Sequence, residues 1–220
     1  MSSVESDDET VVFDGVTIRF DDRVLRPRAW TAAQSRWAAA LLEELPPGRV
    51  LELCTGAGQI GLAAVAPTTR HLLAVDADPV AAEFARINAE TAGLTHRVEV
   101  RAAPMTEALR PDEEFVLVIA DPPWVRAGDT DRYPGDPLVA IDGGPDGLTV
   151  ARMCLSIIGA HLTPRGVALL QLGSVRQAEA LQPELERARL RTTEVRAFAR
   201  GVVAQLEGVG ARRMPARSAG

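Results

Sequence analysis

Two periodicities alternate along the chain and set its expected layout. Short apolar runs at 50–53, 71–75, 98–102, 115–120 and 167–172 read as buried strands, each too short for a helix and bounded by turn residues. Residues 80–92 repeat at helical spacing, and a second helix runs from the turn 144–147 to Leu162, with 163–166 as its stop. Strands that alternate with helices predict an α/β fold with a mostly parallel sheet. In front of this core, 11–20 alternates as a strand, with Asp14-Gly15 as a turn and Asp21-Asp22 as a second one. A helix over 32–45 follows, with Trp37, Leu41 and Leu42 on its apolar face, and Pro46-Pro47-Gly48 ends it. Residues 104–111 read as an irregular connection. Ser174 caps a helix expected to reach Ala188, and 190–198 and 202–206, separated by Arg200-Gly201, suit an antiparallel hairpin. The expected organisation is a disordered 1–10, an arm over 11–47, a core over 48–208 and a loose tail over 209–220 containing Arg212, Arg213 and Arg217. At 220 residues the chain suits one well-buried α/β domain, and no internal repeat divides it.

Candidate chemistry gathers where the strands end. The segment Val50-Leu51-Glu52-Leu53-Cys54-Thr55-Gly56-Ala57-Gly58-Gln59-Ile60-Gly61 is strand, glycine turn and helix start, the opening of a nucleotide-binding unit. Its G-x-G-x-x-G spacing admits a dinucleotide, yet packing and turn glycines meet the same pattern. Glu52 is expected to face the ligand of the loop, where a carboxylate repels a pyrophosphate and attracts the sulfonium side of S-adenosyl-L-methionine. Asp76 ends the next strand 20 residues after Gly56, where a carboxylate accepts both ribose hydroxyls. NAD sites use the same acid, so Asp76 does not discriminate. An acid at a helix N-terminus is its bland reading, although Asp78-Pro79 already supplies that cap and first turn.

The apolar run at 115–119 leads directly into Asp121-Pro122-Pro123-Trp124. Two prolines stiffen the turn, and their missing N–H groups leave nearby carbonyls free to accept. The Asp121 side chain and the Pro122 carbonyl can accept two hydrogen bonds from a planar N–H₂ group, while Trp124 offers a flat face to stack on it. The alternative is a plain strand-ending turn, but its place at the carboxyl edge of a sheet is the binding edge of open α/β folds.

Composition narrows the classes. The formal net charge is −6 and no basic block is long enough to track a phosphate backbone, which disfavours nucleic acid as a principal partner. All 24 basic residues are Arg, so a P-loop lysine and a Schiff-base lysine are excluded. Cys54 and Cys154 are two, widely spaced, with three scattered His, which suggests neither a disulfide framework nor a metal site. No apolar run reaches membrane-spanning length, and the acidic first ten residues are unlike a signal peptide, so a cytoplasmic protein is expected.

The order of glycine loop, Val75-Asp76-Ala77-Asp78-Pro79 and Asp-Pro-Pro-Trp resembles the class I S-adenosylmethionine-dependent methyltransferases with an [Asn/Asp]-Pro-Pro-aromatic motif. More narrowly it resembles the protein-glutamine N5-methyltransferases that modify peptide release factors. The likeness extends to Phe13-Asp14-Gly15, Val24-Leu25-Arg26-Pro27-Arg28, the run from Asp136 to Leu148, and Leu170-Gln171-Leu172-Gly173 with Gln177. It implies a Rossmann-like, mostly parallel seven-stranded sheet with a C-terminal antiparallel hairpin. It also implies S-adenosyl-L-methionine held by Glu52, Thr55, Gly56, Gly58, Asp76, Ala77, Ala103 and Asp121. The methyl acceptor is then expected against Asp121, Pro122, Pro123 and Trp124, with Arg28 and Trp30 in a loop folded over the site.

Three departures stand out. Asp-Pro-Pro-Trp replaces the usual Asn-Pro-Pro-Tyr, only about 47 residues precede the core where the family has a helical docking domain, and the acid expected at adenine falls on Pro104. Backbone around 102–105 is then expected to hold adenine. The expected acceptor is a planar nitrogen, amide or amine, of a protein glutamine or a small molecule. A nucleic-acid base is the alternative acceptor, and an NAD-dependent oxidoreductase the alternative class; the latter leaves Glu52 and Asp121–Trp124 unexplained.

Overall fold

The computed structural model describes residues 8–198 and 200–210; the expected disorder of 1–7 and the expected loose tail from 211 on lie outside the described residues. Glu9–Phe13 (β1) and Val16–Phe20 (β2) pair antiparallel in a sheet of their own, closed by a turn in which Asp14 (φ 46°) and Gly15 (φ 88°) are both left-handed. The stretch read as one strand with a turn is therefore a hairpin, and β1 begins at Glu9, inside the segment expected to be disordered. The helix Ala32–Glu44 (α1) follows, burying Trp37 and Leu42.

The main sheet starts with Val50–Leu53 (β3), then Gln59–Val65 (α2), Leu72–Asp76 (β4), Pro79–Thr91 (α3), Val98–Ala102 (β5) and Phe115–Ala120 (β6). A short helix Leu138–Ile141 (α4) and Thr149–His161 (α5) lead to Leu162–Leu172 (β7). Two short helices, Val175–Ala180 (α6) and Gln182–Arg187 (α7), precede the hairpin Leu190–Ala197 (β8) and Val202–Gly208 (β9). The strand order is β5-β4-β3-β6-β7-β9-β8, with β9 antiparallel to both β7 and β8 and the remaining pairs parallel. β3, β4 and β6 are buried on both faces, apart from the tip of β4, which is why they read as unbroken apolar runs. Cores form on both sides of the sheet, one shared with the arm and α1–α3, the other with α5 and α7.

Two expectations change here. The stop at 163–166 is extended chain, because β7 begins at Leu162 opposite Phe115 and shifts register before Val167 meets Leu117. The helix expected over 174–188 is broken at Leu181. Pro183 falls in the first turn of α7, where it lacks the N–H that a continuous helix needs and its ring would clash with the preceding turn. Ser174 does cap α6, accepting from the Gln177 N–H.

The arm is tied to the sheet through a buried amide. Gln34 on α1 is fully buried and donates from Nε2 to the carbonyls of Ala120 and Leu169, both at 3.2 Å. Ala120 is the residue before Asp121, so this contact fixes the arm against the strand end that matters most. Gln34→Met keeps the volume but removes the donor. It is expected to lower stability by about 1–2 kcal/mol, measured by urea unfolding.

Candidate active site

Between the carboxyl ends of β3 and β6 the strand order reverses, and the crevice there is the binding edge of a doubly wound sheet. Two cavities open at this edge. The smaller, about 270 Å³, is lined by Arg23, Val24 and Leu25 from the arm, Cys54, Gly56 and Gln59, the tip Val75–Asp78, and Pro104, Met105, Val150 and Met153. The larger, about 440 Å³, is lined by Arg28, Trp30, the whole Asp121–Trp124 turn, Arg132, Tyr133, Asp136 and Arg200. Leu25, Asp121, Pro123 and Ala140 line both. The two cavities thus meet at these four residues, of which Asp121 alone is charged.

In the smaller cavity Asp76 is built as an acceptor. One carboxylate oxygen takes the Gly56 N–H at 2.8 Å and the other the Asp78 N–H at 2.9 Å, which locks the side chain while lone pairs remain free. Burial raises its pKa, against the lowering effect of those two backbone N–H groups. Gly56 (φ 54°) and Cys54 (φ 57°) are both left-handed; the non-glycine at 54 stores about 1–2 kcal/mol of backbone strain beside the cavity. Apolar walls from Val75, Met105, Val150 and Met153 face these polar groups. A polar ribose-type site opposite an apolar slot is what a nucleoside needs, so the residues present fit S-adenosyl-L-methionine.

Other predicted residues fall elsewhere. Glu52 does not face the ligand loop's guest. It is 2% exposed and lies under the loop, accepting from the Gly61 N–H at 2.8 Å and from the Thr55 hydroxyl. Gly61 packs so tightly on it that a Cβ would sit 2.8 Å from the Glu52 Cδ. The third glycine of the pattern therefore serves Glu52, and Thr55, buried with its hydroxyl spent, lies on neither cavity. Gly58 caps α2 and packs on Ala85 and Leu62. Ala103 also misses the cavity; its N–H donates to the Asp76 carbonyl, and Pro104 and Met105 take its place on the wall. Gly56, Asp76, Ala77 and Asp121 are brought together at the smaller cavity, and Arg28, Trp30, Pro122, Pro123 and Trp124 join Asp121 at the larger.

The Asp-Pro-Pro-Trp turn is held from several sides. Val125 exchanges backbone hydrogen bonds with the 141–143 segment, donating to Ile141 O at 3.0 Å and accepting from Gly143 N at 2.8 Å. Gln177 donates to the Trp124 carbonyl at 3.0 Å and accepts from Gly173 N at 2.8 Å. The Trp124 ring lies on Gly173, where a Cβ would meet its Cζ3 at 3.0 Å. Asp121 has no charged partner among the described residues, and burial pushes its carboxyl up to about 7. Sequence reasoning missed Arg23, Cys54, Gln59, Tyr133 and Arg200, because loops from four chain segments converge only in the fold, while Pro104 and Met105 do line the smaller cavity as the expectation for 102–105 had it. For Arg200 the signal was present, as the charged residue of a hairpin turn.

This fold, with paired cavities at the switch of strand order and a Pro-Pro-aromatic turn between them, is the Rossmann-like fold shared with solved class I methyltransferases. The methyltransferase small domain family matches residues 35–140. The chain is 31% identical over 188 residues to the ribosomal protein uL3 glutamine methyltransferase of Bordetella pertussis, covering 82% of this chain and 63% of the relative. It is 34% identical over 182 residues to the release factor glutamine methyltransferase of Mycolicibacterium smegmatis, covering 79% and 62%. The chain thus spans about three fifths of the length of these curated relatives. Among solved structures, the ribosomal protein L11 methylase from Lactobacillus delbrueckii subsp. bulgaricus superposes with a TM-score of 0.65, covering 87% of this chain and 84% of that one at 15% identity. The Pyrococcus abyssi tRNA (uracil-54, C5)-methyltransferase, solved with S-adenosyl-L-homocysteine, gives 0.62 over 90% of this chain and 44% of that one, at 17% identity. At such identities the likeness is one of fold.

The pH dependence of stability checks the placing of Glu52. Burial raises its pKa from 4.5 to about 7, so between those values the folded state binds more protons than the unfolded state. Stability contributed by this group therefore falls as pH rises through that window. Glu52→Gln keeps an acceptor for Gly61 and removes the titration. Relative to wild type it is expected to gain up to about 3 kcal/mol in going from pH 4.5 to above 7, read from urea midpoints. A wild-type-like profile in the variant means that Glu52 is not the buried acid described.

Proposed function

We propose that the chain is an S-adenosyl-L-methionine-dependent N-methyltransferase acting on a planar nitrogen, the amide or amine of a protein glutamine or a small molecule. The observation that carries this reading is the meeting of the two cavities at Asp121, an acidic residue that lines both. The smaller cavity is the cofactor site, with Asp76 on the ribose hydroxyls, Gly56 and Ala77 close against it, and Met105 and Pro104 along the base. The larger is the acceptor site. The similarity to two kinds of glutamine methyltransferase supports an amide acceptor.

When bound, the cofactor supplies a methyl group on sulfur with a good leaving group. The chain's own work is positioning. Asp121 and the Pro122 carbonyl accept from the two N–H bonds of the acceptor, which turns the nitrogen lone pair toward the cofactor cavity. Trp124, braced on Gly173, restricts the planar group to one plane. The ionised Asp121 also offsets positive charge that develops on nitrogen, an effect enlarged by its burial. The arm residues Val24 and Leu25 close the cofactor cavity and reduce water there. The acidic net charge disfavours a polyanionic acceptor.

S-adenosyl-L-homocysteine is expected to raise the melting temperature, and NAD to leave it unchanged. Asp76→Ala is expected to weaken S-adenosyl-L-homocysteine at least about tenfold by calorimetry, since a buried ribose loses its acceptor. Unaltered binding in that variant sinks the ribose assignment.

A separate expectation concerns Asp121. Asp121→Ala should keep cofactor affinity and cut turnover about 10²-fold or more, because the lost contact acts on the attacking group. In wild type, activity should rise with pH through about 7 as Asp121 ionises. Asp121→Asn should flatten this profile, and an amide acceptor should tolerate it better than an amine. Wild-type turnover in Asp121→Ala on the true acceptor leaves the turn a structural element only.

A further inference from the structure

We propose that the larger cavity contains an anion subsite, formed by Arg200 and Trp30, which takes a carboxylate carried by the methyl acceptor. The inference rests on the reading of that cavity as the acceptor site. Three guanidinium groups line it, those of Arg28, Arg132 and Arg200. Arg28 is committed to Asp136, with both side chains largely covered. Arg132 pairs with Asp129 at 3.2 Å. Arg200 has no carboxylate partner among the described residues. Its guanidinium instead stands 5.5 Å from the centroid of the Trp30 ring, which Arg28 approaches at the same distance.

The position of Arg200 follows from the turn that carries it. Gly201 is left-handed (φ 77°), and a Cβ there would lie 2.5 Å from both Gln171 Nε2 and the Leu172 carbonyl oxygen. Gly201 is therefore pressed onto the carboxyl end of β7, and Phe198 N–H donates to Gly201 O at 3.1 Å. Arg200 is held at the binding edge of the sheet on a tight turn. With an indole face beside it, fewer rotamers remain to be lost on binding, and its planar fork matches a carboxylate in two parallel hydrogen bonds. The opposite requirement is set by Asp121 on the same cavity, whose carboxylate accepts N–H groups and repels an anion. A ligand with a planar nitrogen at one end and a carboxylate at the other is thus oriented by both ends. That carboxylate comes either from the α-position of the acceptor residue itself or from an acidic side chain next to it in a peptide.

Three probes separate these cases: N-acetylglutamine, its neutral methylamide, and the blocked dipeptide acetyl-Gln-Asp-amide. Binding is measured by calorimetry at low salt with S-adenosyl-L-homocysteine present. At least one acidic probe is expected to bind about tenfold tighter than the neutral methylamide, and which one does so identifies the source of the carboxylate. Arg200→Gln should abolish the preference and leave S-adenosyl-L-homocysteine affinity unchanged, while Arg200→Lys should keep part of it. Raised salt should shrink the preference. Acidic probes that bind no better than the neutral one, including no binding by any, overturn the subsite, as does a preference that survives in Arg200→Gln. Failure of S-adenosyl-L-homocysteine to bind counts instead against the methyltransferase reading, so the two failures are told apart on the same samples.

Discussion

The site depends on one constraint, the fixing of the turn after β6. Asp121, Pro122, Pro123 and Trp124 have no regular secondary structure to hold them, and prolines remove two of the N–H groups that a ladder would use. Their position comes from outside. The 141–143 segment pairs with Val125, Gln177 clamps the Trp124 carbonyl, and Gly173 gives the indole a flat bed. Gln34 holds the strand end from the other side of the sheet. Motifs spread over 140 residues of sequence, from the arm to α6, therefore act on a single turn. Under the proposed function, the stability of those distant contacts sets how accurately an acceptor nitrogen would be presented.

Electrostatics at the sheet edge point the same way. Glu52, Asp76 and Asp121 all have raised pKa values, and in each case burial is the first cause. Burying three acids close together is costly, and that cost favours a cationic ligand. The effect of Glu52 is indirect, since it acts on the shape of the loop through Gly61 and Thr55. Asp76 and Asp121 face the cavities themselves. Arg28, Arg132 and Arg200 line the larger cavity as well, the first two paired with Asp136 and Asp129.

Much of this was legible in the residues. The run lengths of β3 to β6, the Asp14-Gly15 turn and the Arg200-Gly201 break are local signals, readable because period and turn chemistry act within a few residues. Glu52 shows where local reading fails. A strand residue before a glycine loop can point to either face of the sheet, and the sequence around it does not say which. The helix break at Leu181 was likewise masked by the strong cap at Ser174, though Pro183 carried the information.

The sequence by itself determined the alternation of elements, the seven strands with their closing hairpin, and the placing of Asp76 and Asp121 at strand ends, where both line a cavity. These depend on period, caps and prolines, which are properties of neighbouring residues. Only the tertiary structure decided that Glu52 and Thr55 support the loop from beneath, that Arg23 to Leu25 close one cavity, and that Arg200 reaches the other. Those outcomes depend on which face of the sheet a side chain meets and on how loops far apart in the chain converge. Contacts of that kind are set by packing across the sheet, and no local pattern encodes them.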